Sequence, residues 1–379
     1  METGLALQNK YNCLENFQIT NRNHKSLDGI RAIGILMVLF KHFYGALLNV
    51  SFFWTSIDLL FALSGLLITG ILIETKNSPN YFKNFYIRRA LRIFPLYYLL
   101  IFIFLFYILF ITNSPQSLKY FTNNIGYFLF YCQNWYFINY GIPDGGHLNH
   151  TWSLAVDEQI YILWPLLIFL CKNKSQLIWL CITTILFSLF FRLWYINFYL
   201  SSVPLDPYAA FHNTFCRIDS FAAGSLLYCL MRFNVFFLNT KNALILFFAT
   251  IFLVIIIGLK DNNFNFTGYY MNSYGFTLMG LNFMTWIYFS FTTKNKFLIF
   301  ILQNSLLRYI GKISYSLYVF HWFILMLLLP TFNIFFKRIL NQNSNFLSIT
   351  FCVVTTFVIS ALSYKYFEKP IIKLKKKFV

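Results

Sequence analysis

"LDGIRAIGILMVLFKHF", residues 27–43, decides how this chain is read. From Ile30 onward the run is almost wholly apolar, as a helix crossing hydrocarbon must be, yet the stretch carries Asp28, Arg31, Lys41 and His42. Arg31 and His42 are eleven residues apart, which on a helix leaves them about 20° apart around the axis and about 16 Å apart along it. They share one face, while Lys41 points elsewhere and can snorkel to headgroups. A titratable group inside a helical bundle is costly and usually meets a partner or a water-filled path. Taken singly, Arg31 is an anchor at the cytosolic edge and His42 a hydrogen-bonded core histidine. Aligned on one face, the pair favours a functional reading.

Whether a membrane is involved is settled by composition. The 379 residues are 58% hydrophobic, 22% aromatic and 11% charged, with 49 phenylalanines, whereas a soluble domain carries about 25% charge. Crossing a hydrocarbon core of ~30 Å takes about 20 apolar residues. Ten such runs are present, near 28–48, 56–74, 94–112, 152–171, 176–196, 214–232, 242–259, 272–292, 311–330 and 346–366. The expected fold is an all-α polytopic membrane protein with ten transmembrane helices and both termini cytosolic. Residues 1–26 form a cytosolic tail, 27–370 the membrane domain and 371–379 a basic cytosolic tail. The polar residues ahead of the first run, and the lack of a small-residue cleavage site after it, argue against a signal peptide. No repeat and no linker to a second folded domain is visible. The aromatic stretch "YFTNNIGYFLFYCQNWYF", residues 120–137, is short for a span and reads as an interfacial or re-entrant segment.

The formal charge of +18 invites a nucleic-acid partner, but its distribution excludes one. With the N-terminus in the cytosol, 23 of the 30 Lys and Arg fall on the cytosolic side, which is the positive-inside pattern. The tail "KLKKKFV" then meets anionic lipid headgroups of the bilayer. Seven scattered cysteines with no C-x-x-C, and no histidine cluster at ligand spacing, lead us to expect no structural metal and no disulfide framework.

The polar residues inside the runs supply candidates for chemistry. Asp58, in "SIDLLFALSG", is placed by the short loop 49–55 near His42, where its carboxylate would accept the ring N–H and fix the tautomer of a basic imidazole. It would also serve as a helix N-cap. Asp157 and Glu158 sit about two turns into the fourth run. Arg217 and Asp219 in the sixth are expected to form an internal ion pair. Ser314, Tyr318 and His321 share a face of the ninth, with His321 in a hydrogen-bonded structural role. In "NFYIRRALRIFPLYY", read as a cytosolic loop entering the third span, Arg88, Arg89 and Arg92 make a cationic patch whose forked guanidinium groups suit phosphate. The same charges would also anchor the topology.

These stretches occur in one order: "LDGIRAIGILMVLFKH", "DLLFALSGLLIT", "RRALRIFP", "WSLAVDEQIYILWP", "RIDSFAAGSLL", "SYSLYVFHW" and "YFEKP". In that order the chain resembles acyltransferase family 3 of integral membrane proteins, over roughly residues 27–370. Asp157 stands where the family commonly has a second Glu.

The resemblance implies an O-acyltransferase, in the first instance an O-acetyltransferase, of the bacterial cytoplasmic (inner) membrane. It implies an acyl-CoA donor such as acetyl-CoA on the cytosolic side, with no permanently bound cofactor. The acceptor would be an extracytoplasmic carbohydrate such as a lipopolysaccharide O-antigen or an exopolysaccharide. Arg31, Arg88, Arg89 and Arg92 would hold the donor phosphates. His42 would act as general base or acyl carrier, oriented by Asp58 or Glu158. The esterase-like extra domain of some members is not expected, so this chain would acylate its acceptor alone. The rival class is a transporter or translocase of a lipid-linked sugar, although no inverted repeat of the kind many transporters show is visible.

Overall fold

The computed structural model describes residues 21–48, 50–112, 115–142, 146–199, 208–235, 239–340 and 345–377. The expected N-terminal tail lies outside them up to residue 20. All regular elements among the described residues are helical. In chain order they begin with α1 (Asn21–Leu48), α2 (Ser56–Thr75), α3 (Tyr81–Tyr107), α4 (Pro115–Leu129) and α5 (Gln133–Tyr140). Then come α6 (Trp152–Leu170), α7 (Lys174–Trp194), α8 (Thr214–Arg232), α9 (Thr240–Lys260) and α10 (Phe276–Thr292). The last are α11 (Lys296–Gln303), α12 (Ser305–Lys312), α13 (Ser314–Leu340), α14 (Asn345–Ser363) and α15 (Lys369–Lys373). Asparagines open five of them: Asn173, Asn213, Asn239, Asn295 and Asn304 each accept a hydrogen bond from a first-turn backbone N–H, as good N-caps do.

Among the described residues, eight helical segments are long and apolar enough to cross a membrane, beginning with Lys25–Leu48 and ending with Asn345–Lys373. The other two expected spans are helices of different character. α8 carries Arg217 and Asp219 in its first turns, and α10 has 17 residues preceded by a π-helical turn, Met271–Gly275. Two boundaries also move. α3 starts at Tyr81, so Arg88, Arg89 and Arg92 lie on a helix and not in a loop. α13 runs on to Leu340, past the expected end at 330. Hydropathy registers only the part of a helix that suits hydrocarbon, whereas the hydrogen-bond ladder continues through polar turns. Within 120–137 the chain forms most of α4 and the start of α5, joined at Tyr131, whose φ is 53°.

The chain divides into two compact units. The first holds the described residues up to Gly34, with Trp54–Lys76 and Ile162–Lys312. The second holds Ile35–Phe53, Asn77–Tyr161 and the described residues from Ile313. α1 and α6 thus contribute their two ends to different units.

In the first unit α8 packs on α2, α7 and α10. The approach to α2 depends on glycine: a Cβ on Gly224 would lie 1.7 Å from the Ala62 carbonyl oxygen, and one on Gly65 would lie 1.9 Å from that of Phe221. Small residues let helix backbones come together where hydrophobic exclusion offers little gain. Trp164 then donates to Thr69 Oγ1 at 2.9 Å, and Thr69 to Ser225 Oγ at 2.8 Å.

In the second unit α13 packs on α14 and α3, with Tyr315 donating to the Ile93 carbonyl at 2.7 Å. Tyr97 and Tyr98 tie α3 to α4 through the carbonyls of Phe128 and Leu129.

Candidate active site

Three histidines meet in the second unit. α1 presents His42 and α13 presents His321, whose Nε2 lies 2.7 Å from Nδ1 of His42. The two rings are parallel, with centroids 4.9 Å apart. His321 donates from Nδ1 to the Tyr318 carbonyl at 2.6 Å, one turn back on its own helix. Trp322 stands edge-on to His42, with centroids 4.9 Å apart, and its indole N–H is fixed on the Gly146 carbonyl. His150, just ahead of α6, donates from Nε2 to the Val319 carbonyl at 3.0 Å, and its ring centroid is 5.1 Å from that of His321. The Tyr318 hydroxyl closes the cluster by donating to the His150 carbonyl and pairing with Ser153 Oγ. His321 and His150 are buried, while His42 is half-buried. The ring that would do chemistry is therefore the one with access.

His321 takes a hydrogen-bonded place, as its face on α13 suggested, but its partner is His42. Nothing in the local sequence singles out His150, whose one signal is its position just ahead of a helix start. His147, in the same turn, is held below the ordinary histidine range by burial.

On α6 Glu158 is buried, and its Oε1 has no hydrogen-bond partner among the described residues, as is also true of Asp157 Oδ1. The Arg89 guanidinium of α3 lies 5.6 Å over the Tyr161 ring, one turn further along α6. No hydrogen bond or ion pair joins Glu158 to His42 among the described residues, where an orienting role was expected. Tyr131, in its left-handed turn, stacks on Tyr97 at 4.3 Å. Burial, then Tyr315 and Glu158, push its phenol above the ordinary range, so it keeps its proton.

The basic patch is denser than expected. Arg88 and Arg92 are one turn apart near the start of α3, and the segment after α15 packs on α3. Lys375 joins the patch there. Its ammonium is held below the ordinary lysine range by desolvation, then by Arg92, Arg88 and Arg89.

The first unit holds the two remaining candidates. Arg31 pairs with Asp28 at 2.9 Å, one turn back on α1. Asp58 is fully buried, 2.9 Å from Arg217 Nη2, and accepts from Ser220 Oγ at 2.6 Å. Phe276 lies beneath the Arg217 guanidinium at 4.0 Å. Asp219 takes Arg192 at 2.9 Å and the Thr277 hydroxyl at 2.6 Å. The expected Arg217–Asp219 pair is therefore replaced by two others, because residues two apart on a helix point about 200° apart. Asp58, expected to orient His42, has its carboxylate engaged by Arg217 and Ser220.

A helical membrane protein with an imidazole pair, buried carboxylates and a basic patch has the parts of a group-transfer enzyme. The sequence matches the family described as "Acyltransferase domain" over residues 24–365, and the chain belongs to acyltransferase family 3. It is similar to the peptidoglycan O-acetyltransferase OatA of Listeria monocytogenes, with 29% identity over 374 residues, covering 92% of this chain and 56% of OatA. YrhL of Bacillus subtilis, to which the same activity is provisionally assigned, is 28% identical over 367 residues, covering 91% of this chain and 54% of YrhL. The chain spans about half the length of these relatives. No solved structure matches.

Proposed function

We propose that this chain transfers an acetyl group from acetyl-CoA on the cytosolic side of a bacterial cytoplasmic membrane to a hydroxyl of an extracytoplasmic glycan, with His42 as general base. The observation that carries this is the half-buried His42 ring, held by His321 and walled by Trp322. His42 Nε2 takes the proton of the acceptor hydroxyl as that oxygen attacks the thioester carbonyl. The C–S bond then breaks, and the coenzyme A thiolate leaves with the proton returned from His42. A base so placed contributes about 10²–10⁴-fold.

Arg88, Arg89, Arg92 and Lys375 receive the donor phosphates, where guanidinium forks make paired charge-assisted hydrogen bonds. Their mutual repulsion gives an anion a further reason to bind. The names of the relatives favour peptidoglycan as acceptor over lipopolysaccharide or an exopolysaccharide.

The test uses purified protein in proteoliposomes, with radiolabelled acetyl-CoA and either peptidoglycan fragments or lipopolysaccharide. Label should pass to the glycan. His42→Ala should lower the rate about 10²–10⁴-fold at equal inserted abundance, and Lys41→Ala should be nearly silent. Full transfer by an inserted His42→Ala protein refutes the assignment. An intact thioester with every glycan would point to the transporter class.

A further inference from the structure

We infer that His321 is a positioning residue that locks His42 into the one neutral tautomer with a bare Nε2. The inference rests on the reading of His42 as base and deepens it.

The chain of hydrogen bonds ends on a group whose protonation cannot change. A backbone carbonyl has no proton to give, so the 2.6 Å bond between His321 Nδ1 and the Tyr318 oxygen puts a proton on Nδ1. The neutral His321 ring then carries its lone pair on Nε2. That lone pair faces Nδ1 of His42 at 2.7 Å, so the proton in this bond belongs to His42. With Nδ1 protonated, the lone pair of neutral His42 lies on Nε2, the atom that takes a hydroxyl proton. Each step follows from the one before, and none needs a carboxylate.

In serine hydrolases a buried aspartate imposes the same tautomer. Inside a bilayer, an ionised carboxylate would need its own counter-charge. A neutral imidazole anchored on a carbonyl sets the tautomer at no resting charge. During turnover the acceptor proton arrives at His42 Nε2, and the Nδ1 proton can shift along the 2.7 Å bond to His321. The positive charge is then shared by two rings, with the Tyr318 carbonyl accepting from the second. When the thiolate takes the Nε2 proton, both rings return to their resting tautomers.

The other groups facing the pair leave this arrangement intact. His150 donates from Nε2 to Val319, so it offers a lone pair at Nδ1 and no competing proton. The Tyr318 hydroxyl is taken up by the His150 carbonyl and Ser153. Lys41 acts on His42 through its charge.

The test compares His321→Ala, His321→Gln and His42→Ala in lipid nanodiscs, with histidines labelled in 15N. The wild-type spectrum should show His42 protonated at Nδ1 and bare at Nε2, and His321→Ala should lose that preference. His321→Ala should lower kcat about 10²–10⁴-fold, the range for a mispositioned or mistautomerised base, with KM for the donor near wild type. His321→Gln, whose amide oxygen can accept the Nδ1 proton, should recover part of that loss. A purely structural role would instead depress abundance in both variants without rescue by glutamine. A wild-type His42 protonated at Nε2 overturns the inference without any variant. So does an undiminished kcat in His321→Ala while His42→Ala is inactive, an outcome that spares the base assignment. An active His42→Ala would remove the base reading first.

Discussion

Asp58 offers the sharpest separation of chemistry from scaffolding. Asp58 and Arg217 are each fully buried, with 2.9 Å between Oδ1 and Nη2, and Ser220 donates to the same oxygen. Asp58→Leu would leave a guanidinium in a low-dielectric interior with its counter-charge gone. Removing one partner of such a pair costs about 3–5 kcal/mol, or roughly two to three and a half powers of ten in the folding equilibrium. Arg217→Met should cost a similar amount, although methionine keeps contact with Phe276. Asp58→Leu combined with Arg217→Met removes both charges, and swaps of this kind are often neutral or stabilising. The double variant should therefore recover more than half of the loss. Thermal unfolding in lipid nanodiscs gives the stabilities, and acetyl transfer at equal inserted abundance gives the function. If the pair is scaffold, the double variant is stable and active. A double variant that is stable but inactive would place Asp58 or Arg217 in the chemistry and refute the reasoning. Single variants as stable as the wild type would refute the pairing.

Gly224→Ala would place a methyl 1.7 Å from the Ala62 carbonyl oxygen, and backbone cannot give way as a side chain can. It should lower the thermal midpoint, at a cost of about 1–3 kcal/mol or more; an unchanged midpoint would mean that α2 and α8 lie further apart. Lys375 is held below the ordinary lysine range in the folded chain, so the unfolded chain binds its proton more tightly and the contribution of this group to stability rises with pH between the two values. Lys375→Gln should accordingly stabilise the ligand-free protein at neutral pH and weaken acetyl-CoA binding, measured by thermal shift and by titration; the opposite sign in both would detach Lys375 from the patch. Cysteines placed at the exposed positions Asn77 and Asn173 should be shielded from an impermeant thiol reagent in intact cells, while those at Asn139 and Asn262 should react; labelling in the reverse sense would overturn the donor-inside, acceptor-outside scheme.

Hydropathy locates the α2, α6, α7 and α9 segments closely because an apolar run and a helix coincide there. It places the start of α3 late, since Lys83, Arg88, Arg89 and Arg92 interrupt the apolar signal without interrupting backbone hydrogen bonding. Helix geometry alone would have separated Arg217 from Asp219, being two residues apart. No local pattern could have supplied their true partners, because Asp58 pairs with a residue from another helix. The same limit applies to the imidazoles. His42 is legible from Arg31 and from the apolar run around it, whereas its contact with His321 spans 279 positions. His150 carries no periodic signal at all, and its place depends on a bond to the Val319 carbonyl.

The two units handle buried polarity in different ways, and the difference bears on catalysis. In the first unit Asp58 with Arg217, and Asp219 with Arg192, are ion pairs of opposite sign at 2.9 Å. Such pairs hold a fold in one arrangement and have little to gain from a reacting group. The imidazoles of the second unit are joined through neutral hydrogen bonds that end on backbone carbonyls. A base of that kind carries no charge at rest, so nothing in the resting state has to be neutralised before substrate arrives. In the proposed reaction charge would appear only when the acceptor proton reached His42, and His321 and the Tyr318 carbonyl are already oriented to share it. An interaction that strengthens only as the reaction proceeds lowers the barrier without tightening the ground state. Under the proposed function, the neutral histidine pair, and not the better-paired carboxylate Asp58, is for this reason where acyl transfer would fall.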